Sequence, residues 1–204
     1  MFADIFRKGR GANVNQDIVV QAQDTPNPLA IKFIVSKALK SEGKATFQAA
    51  EECREIPMAE ALMLIKGVKQ VYFFENTVTV TFDDEIATDD LKNCVEAVIK
   101  TRMPVHNANF VGPEDSKATK SSQKATHDDP TMNLIEEILD RTIRPGLQAD
   151  GGDIELIEFT NNELKILYQG ACGGCPSAMM GTLDAIQNIL RHELDSEDLV
   201  VYPI

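Results

Sequence analysis

Apolar residues alternate with polar ones, or gather in short β-branched runs, along the first half of the chain. This pattern predicts strands at residues 17–23, 31–35, 43–49, 67–74 and 76–82. The last two form a hairpin that turns at Glu75-Asn76. In its second strand the apolar residues fall on one face, and the opposite face carries Thr77, Thr79 and Thr81.

Two helices interrupt these strands. Pro57 fits the first turn of a helix over residues 58–65, and Thr88 is placed to cap a later one. The later helix has an apolar stripe at Leu91, Cys94, Val95, Val98 and Ile99. Cys94 is therefore expected to be a buried structural thiol. Cys53 lies in a polar run with no thiol near it in sequence, and we expect no functional role for it.

The periodicity stops between residues 111 and 129, where Gly, Pro, Ser, Lys, Thr and Asp dominate. We interpret this stretch as a flexible linker between two domains. The predicted organisation is a flexible lead-in at residues 1–15, a first domain at 16–110, the linker at 111–129 and a second domain at 130–204.

The second domain begins with an amphipathic helix that ends near Arg144-Pro145-Gly146, and a tight polar loop follows it. Residues 154–159 and 164–169 predict a hairpin. A helix at 177–192 and a strand at 199–202 complete an αββαβ order. The fold class is therefore α+β, with two small domains, each with helices packed on a sheet.

Charge and composition exclude some classes of partner and location. The chain has 204 residues and a net charge of -12, and the second domain alone carries 13 acidic and 4 basic residues, net -9. An acidic surface repels phosphate backbones, so nucleic acid is not an expected partner. No apolar run approaches the roughly 18 residues of a membrane span. Four cysteines in this length fit a reducing compartment. We expect the cytoplasm, with the mitochondrial matrix as second choice.

One stretch concentrates the reactive chemistry of the chain, namely residues 170–177 with the sequence GACGGCPS. Cys172 and Cys175 stand three residues apart between a predicted strand and a predicted helix. Glycines around them let backbone N–H groups approach both sulfurs, and the positive end of the helix favours thiolate. The spacing therefore predicts metal, cluster or redox chemistry.

Three chemistries compete for this pair. A thioredoxin-like dithiol oxidoreductase also places its thiols at a helix start, although that fold needs a longer βαβ pattern. A structural zinc site in an interaction module needs four ligands, and the only other candidate in the domain is the distant His192. An iron-sulfur cluster also takes four thiolates, which two copies of the chain related by two-fold symmetry would supply.

A wider set of residues carries a family resemblance. The string from Leu147 to Asp153, followed by the motif and by Thr182-Leu183, resembles the C-terminal domain of NifU found in Nfu-type iron-sulfur proteins. In the first half, Thr25-Pro26-Asn27-Pro28 with Lys32-Phe33, and Gly67-Val68 before the paired strands, resemble the Nfu N-terminal domain. Ala178 stands where the family often has a second Ser.

The resemblance implies a scaffold or carrier rather than an enzyme. Such a protein would receive a [4Fe-4S] cluster from the assembly machinery, hold it in a homodimer through Cys172 and Cys175 of both protomers, and transfer it to apo-proteins. The segment from Asp150 to Asp153 would then be a structural loop packed near the cluster loop.

Overall fold

The protein folds into two α+β domains, as the sequence predicts. The computed structural model describes residues 18–118, 129–173 and 176–204. Within these ranges it contains one five-stranded and one three-stranded sheet, each packed against helices. None of the helices in these ranges combines the length and the apolar character that crossing a bilayer requires. The predicted lead-in at residues 1–15 lies outside the described residues.

The first domain is an antiparallel sheet that packs against two helices. Its strands, in the spatial order β1-β2-β5-β4-β3, are β1 (Val20–Asp24), β2 (Ala30–Val35), β3 (Lys44–Phe47), β4 (Val68–Phe74) and β5 (Thr77–Phe82). Helices α1 (Pro57–Met63) and α2 (Thr88–Arg102) bury apolar residues in the same core as the strands. Short 3-10 helices at Ala50–Cys53 and Met103–Val105 follow β3 and α2.

The two faces of this sheet differ sharply. One face contributes the buried core, including Phe33, Val71 and Val80. The other face, called the polar face here, carries Lys32, Lys44, Gln70, Tyr72, Thr79 and Thr81, together with the apolar residues Ala30, Ile34 and Phe74. The register places these residues side by side, because Thr79 lies opposite both Lys32 and Tyr72 on the neighbouring strands. The predicted alternation of β5 is therefore confirmed.

The cysteine that is buried in the first domain is Cys53 and not Cys94. Cys94 is exposed, so its assignment as a buried thiol is wrong. One residue turns a helix by about 100°, and this step carries Cys94 off the stripe that Leu91, Val95 and Ile99 bury. Cys53 is instead fully buried in the core despite its polar sequence neighbours. Burial, reinforced by nearby glutamates, raises its pKa to about 12.

Two smaller differences concern element ends. Helix α2 already includes Thr88, and the residue before it is Ala87, whose side chain offers no capping hydrogen bond. The stretch predicted to be a linker opens with a short helix, α3 (Pro113–Ala118), which contacts β3. Buried Lys40 holds this segment through Asp115 at 2.8 Å. Residues 119–128 lie outside the described residues.

The second domain follows the predicted order with one added helix. Its elements are α4 (Pro130–Thr142), α5 (Arg144–Ala149), β6 (Gly152–Thr160), β7 (Glu163–Gly170), α6 (Pro176–Glu193) and β8 (Val200–Pro203). Strand β7 lies between antiparallel β6 and parallel β8. The hairpin turns at Asn161 and Asn162, which both take positive φ angles. Helix α5 occupies the start of the stretch predicted to be a polar loop.

Candidate functional site

Cys172 lies just beyond the carboxyl end of the central strand β7. The chain leaves the strand at Gly170, and Ala171 N donates a hydrogen bond of 3.0 Å to Gly151 O. The Cys172 sulfur lies so close to Gly152 that no side chain could be added there. Helix α6 begins at Pro176. Cys175, the second predicted ligand, lies outside the described residues.

Close backbone approach explains the glycine at position 170. Gly170 has a φ of +60°, which disfavours a side chain, and an added Cβ would collide with Gly151 O. It would also come within 3.0 Å of Tyr72 Cδ1, an atom of the first domain. Glycine is therefore required here both by the turn and by the contact between domains.

The surroundings of Cys172 favour the neutral thiol. Burial raises the pKa of the Cys172 thiol to about 12, and the carboxylates of Asp153 and Asp150 add to the shift. The sequence argument from the helix end and the glycines predicted the opposite direction. It failed because Cys172 is partly buried and lies near the carboxylates of Asp153 and Asp150. A metal that binds Cys172 must therefore displace a firmly held proton.

Asp153 is the centre of an ion-pair network beside the motif. Its carboxylate is buried, with 1 % of the residue exposed. Oδ1 accepts from Arg144 Nε at 2.9 Å, and Oδ2 lies 3.1 Å from Lys44 Nζ. Oδ2 also accepts from Tyr72 OH at 3.2 Å and from Gln148 Nε2 at 3.3 Å. A single carboxylate thus joins the loop before β6 to two strands of the first domain.

Arg144 carries the opposite charge of this network. Burial alone would lower its pKa, but the carboxylates of Asp153 and Glu136 outweigh burial and raise it. Its guanidinium reaches Glu136 Oε2 at 2.7 Å and also contacts Asp140. Arg144 therefore ties the start of α5 to α4 and to β6, whereas the sequence indicated only a basic residue at a helix end.

Further hydrogen bonds from the first domain surround the motif backbone. Gly170 N donates to Gln70 Oε1 at 2.6 Å, and Asn27 Nδ2 donates to Gly173 O at 2.6 Å. Thr81 Oγ1 donates to Gly170 O at 3.3 Å, and Lys32 Nζ donates to Ala149 O. Sequence reasoning missed these contacts. The alternation in β5 predicted a polar face but did not indicate that the second domain packs against it.

One chain offers few metal ligands at this site. Among the described residues, no three His, Cys, Asp or Glu side chains are grouped so that they could hold a metal ion. His192, the zinc ligand considered from sequence, lies at the far end of α6 from the motif. The candidate site therefore consists of Cys172 and, by prediction, Cys175.

Two family models match the chain. The NifU-like domain matches residues 135–201, and the N-terminal domain of the scaffold protein Nfu/NifU matches residues 20–106. Together they cover more than half of the chain, one model for each domain. The chain belongs to the Nfu-type family of NifU-like proteins.

Individual relatives agree with this assignment. The chain is 36% identical over 177 residues to NifU-like protein 5, mitochondrial, from Arabidopsis thaliana, an alignment that covers 85% of this chain and 63% of that protein. It is 30% identical over 177 residues to the mitochondrial NFU1 iron-sulfur cluster scaffold homolog of Drosophila persimilis, covering 86% and 62%. The chain thus spans less than two thirds of the length of these two relatives.

A solved structure also resembles the chain. The solution NMR structure of a NifU-like protein from Saccharomyces cerevisiae matches with a TM-score of 0.42 and 16% sequence identity. The match covers 52% of this chain and 93% of that one.

Proposed function

We propose that the protein is an iron-sulfur cluster scaffold or carrier that binds a [4Fe-4S] cluster between two protomers and transfers it to apo-proteins. The observation that carries the proposal is the Cys172–Cys175 pair within the NifU-like match at residues 135–201. Two thiols are half of the four that such a cluster takes. A second copy of the chain supplies the other two.

The cluster is cargo in this proposal, and no bond of a small substrate is broken. The donor is the cluster-assembly machinery, and the recipients are apo forms of iron-sulfur proteins. A homodimer forms when the cluster is bound, because the ligands come from both chains. The relatives described above are named mitochondrial, which favours the second expected location, the mitochondrial matrix, over the cytoplasm.

Anaerobic reconstitution with iron and sulfide tests the proposal. We expect about four irons per dimer, the stoichiometry of one cube, together with a dimeric mass. Cys172→Ser and Cys175→Ser should each abolish iron retention. Cys94→Ser is the matched control, because Cys94 is the exposed thiol of the first domain and should not affect iron retention.

Other outcomes would overturn the proposal. Tight cluster binding without both motif thiols would contradict the ligand assignment. Zinc, without sulfide, in protein purified anaerobically would favour the structural zinc site. Reduction of a disulfide substrate by the metal-free monomer, combined with failure to bind iron, would favour the dithiol oxidoreductase.

A further inference from the structure

The polar face of the first sheet covers the motif loop of the second domain. Most of the polar residues that are buried in the described ranges lie at this contact and not within either core. They are Asn27, Gln70, Thr79, Asp153 and Gln169. The hydrogen bonds of Asn27 and Gln70 hold Gly173 and Gly170, which lie on either side of Cys172. The first domain therefore covers the backbone that carries the candidate ligand.

The polar face can be exposed to water as well as packed against the second domain. The first domain buries its apolar residues on the opposite side of the sheet. An antiparallel sheet with one polar face is stable when that face is solvated. Separation of the two domains would thus leave the core of the first domain intact.

Some buried polar atoms at the contact between the domains lack a hydrogen-bond partner. Two buried side-chain atoms at the contact find no hydrogen-bond partner among the described residues, namely Thr79 Oγ1 and Gln169 Oε1. Thr79 lies opposite Tyr72, and Gln169 lies in β7 next to Gly170. Burying a polar atom without a partner opposes association, because water would otherwise satisfy it. The unsatisfied atoms therefore offset part of what the interdomain hydrogen bonds contribute.

We propose that this arrangement is a closed state in which the polar face of the first domain shields Cys172. The polar face has to separate from the motif loop before two copies of the chain can share a cluster. This inference rests on the proposed function, since the shared cluster is what requires the loops of two chains to meet. Asn27, Gln70 and Tyr72 lie against one side of the motif loop. They would have to move away from it before the loop of a second chain could approach. The first domain thus controls cluster loading by the second.

Alkylation of Cys172 tests the shielding without any cluster. In the full-length chain with Cys175→Ser, the rate is followed at the Cys172 peptide by mass spectrometry. Thr79→Lys places a long charged side chain at the centre of the contact and leaves the apolar core untouched. Gln21→Lys is the matched control, because Gln21 lies exposed on the same face of the same sheet, at edge strand β1.

We expect Thr79→Lys to raise the alkylation rate on the order of tenfold, and Gln21→Lys to leave it unchanged. A tenfold change corresponds to about 1.4 kcal/mol of lost docking free energy. Asn27→Asp provides a second test. It keeps the Oδ1 atom that accepts from Leu29 N, and it replaces the donor to Gly173 O by a carboxylate oxygen that the carbonyl repels, so the rate should also rise. Equal rates in all four proteins would overturn the shielding.

Cluster loading tests the second half of the inference, with Cys175 intact. Thr79→Lys should take up iron and sulfide faster than the wild-type chain and the Gln21→Lys control. Faster alkylation without faster loading would refute control by the first domain. Absence of a cluster in every variant would refute the proposed function and with it the control of loading, while the alkylation rates would still decide whether the closed state exists.

Discussion

Tyr72 of the first domain donates a hydrogen bond of 3.2 Å to Asp153 of the second, and each residue is 1 % exposed. Burial and the Asp153 carboxylate both raise the pKa of Tyr72, so the phenol stays neutral and remains a donor. The pair links the sheet of one domain to the loop that packs against Cys172.

Removing the charge of Asp153 should destabilise the protein. Asp153→Asn leaves Arg144 and Lys44 without the carboxylate that compensates them. Breaking a buried ion pair costs about 3 to 5 kcal/mol, so the free energy of unfolding should fall by about 3 kcal/mol. Urea denaturation measures the change. Asp150→Asn is the control, because Asp150 is exposed and its substitution should change stability by less than about 0.5 kcal/mol. Equal losses would contradict the central role of Asp153.

Tyr72→Phe isolates the hydrogen bond between the domains. The substitution keeps the ring and removes one donor to a carboxylate, which should cost about 1.5 kcal/mol. In a double-mutant cycle with Asp153→Ala the two losses should not add, because each variant removes one partner of the same hydrogen bond. Full additivity in urea denaturation would show that the contact contributes nothing.

Gly170→Ala should destabilise the second domain. A φ of +60° costs a residue with a side chain about 1 kcal/mol, and the collision with Gly151 O adds to this. Thermal unfolding measures the loss. Gly181→Ala is a matched control in α6, where an added Cβ meets nothing within 4 Å. It should stabilise the helix by about 0.5 to 1 kcal/mol, and a loss at this control would contradict the model of the helix.

The first domain should lose stability in mild acid through His106. Burial lowers the His106 pKa below its usual 6.5. The unfolded chain then binds the proton more readily, so stability is complete above pH 6.5 and falls as the pH drops from there towards the folded pKa. Glu114 acts in the opposite sense, because burial raises its pKa above 4.5.

Comparison of wild type with His106→Gln separates the two groups, since Glu114 is present in both proteins. The stability difference between them, measured by urea denaturation, should change as the pH falls below 6.5 and stay constant above it. A difference that is independent of pH would contradict the assignment to His106.

Local patterns predicted most of the fold. Strict alternation in β5 gave both the strand and its two faces, and the Asn161-Asn162 pair marked the second hairpin. The helix boundaries moved by a few residues, because the end of a helix depends on contacts as well as on propensity. The exposure of Cys94 was missed, since burial of a single residue depends on where tertiary packing places the helix face.

The candidate site was only partly predictable. The spacing of Cys172 and Cys175 and the surrounding glycines identified the loop from local sequence. The pKa of Cys172 depends on burial, on Asp153 and on Asp150. The motif backbone is held by Gln70 and Asn27, which lie 100 and 146 positions away from the residues they bind. Such long-range contacts have no periodic signature in one sequence.

The polar face also has a calorimetric consequence. Exposure of polar surface lowers the heat capacity, whereas exposure of apolar surface raises it. Separation of the two domains would uncover threonine, glutamine and lysine side chains together with the ring of Tyr72, and their contributions to the heat capacity have opposite signs. The heat-capacity change of separation would therefore be small beside that of unfolding either core, whose buried residues are apolar.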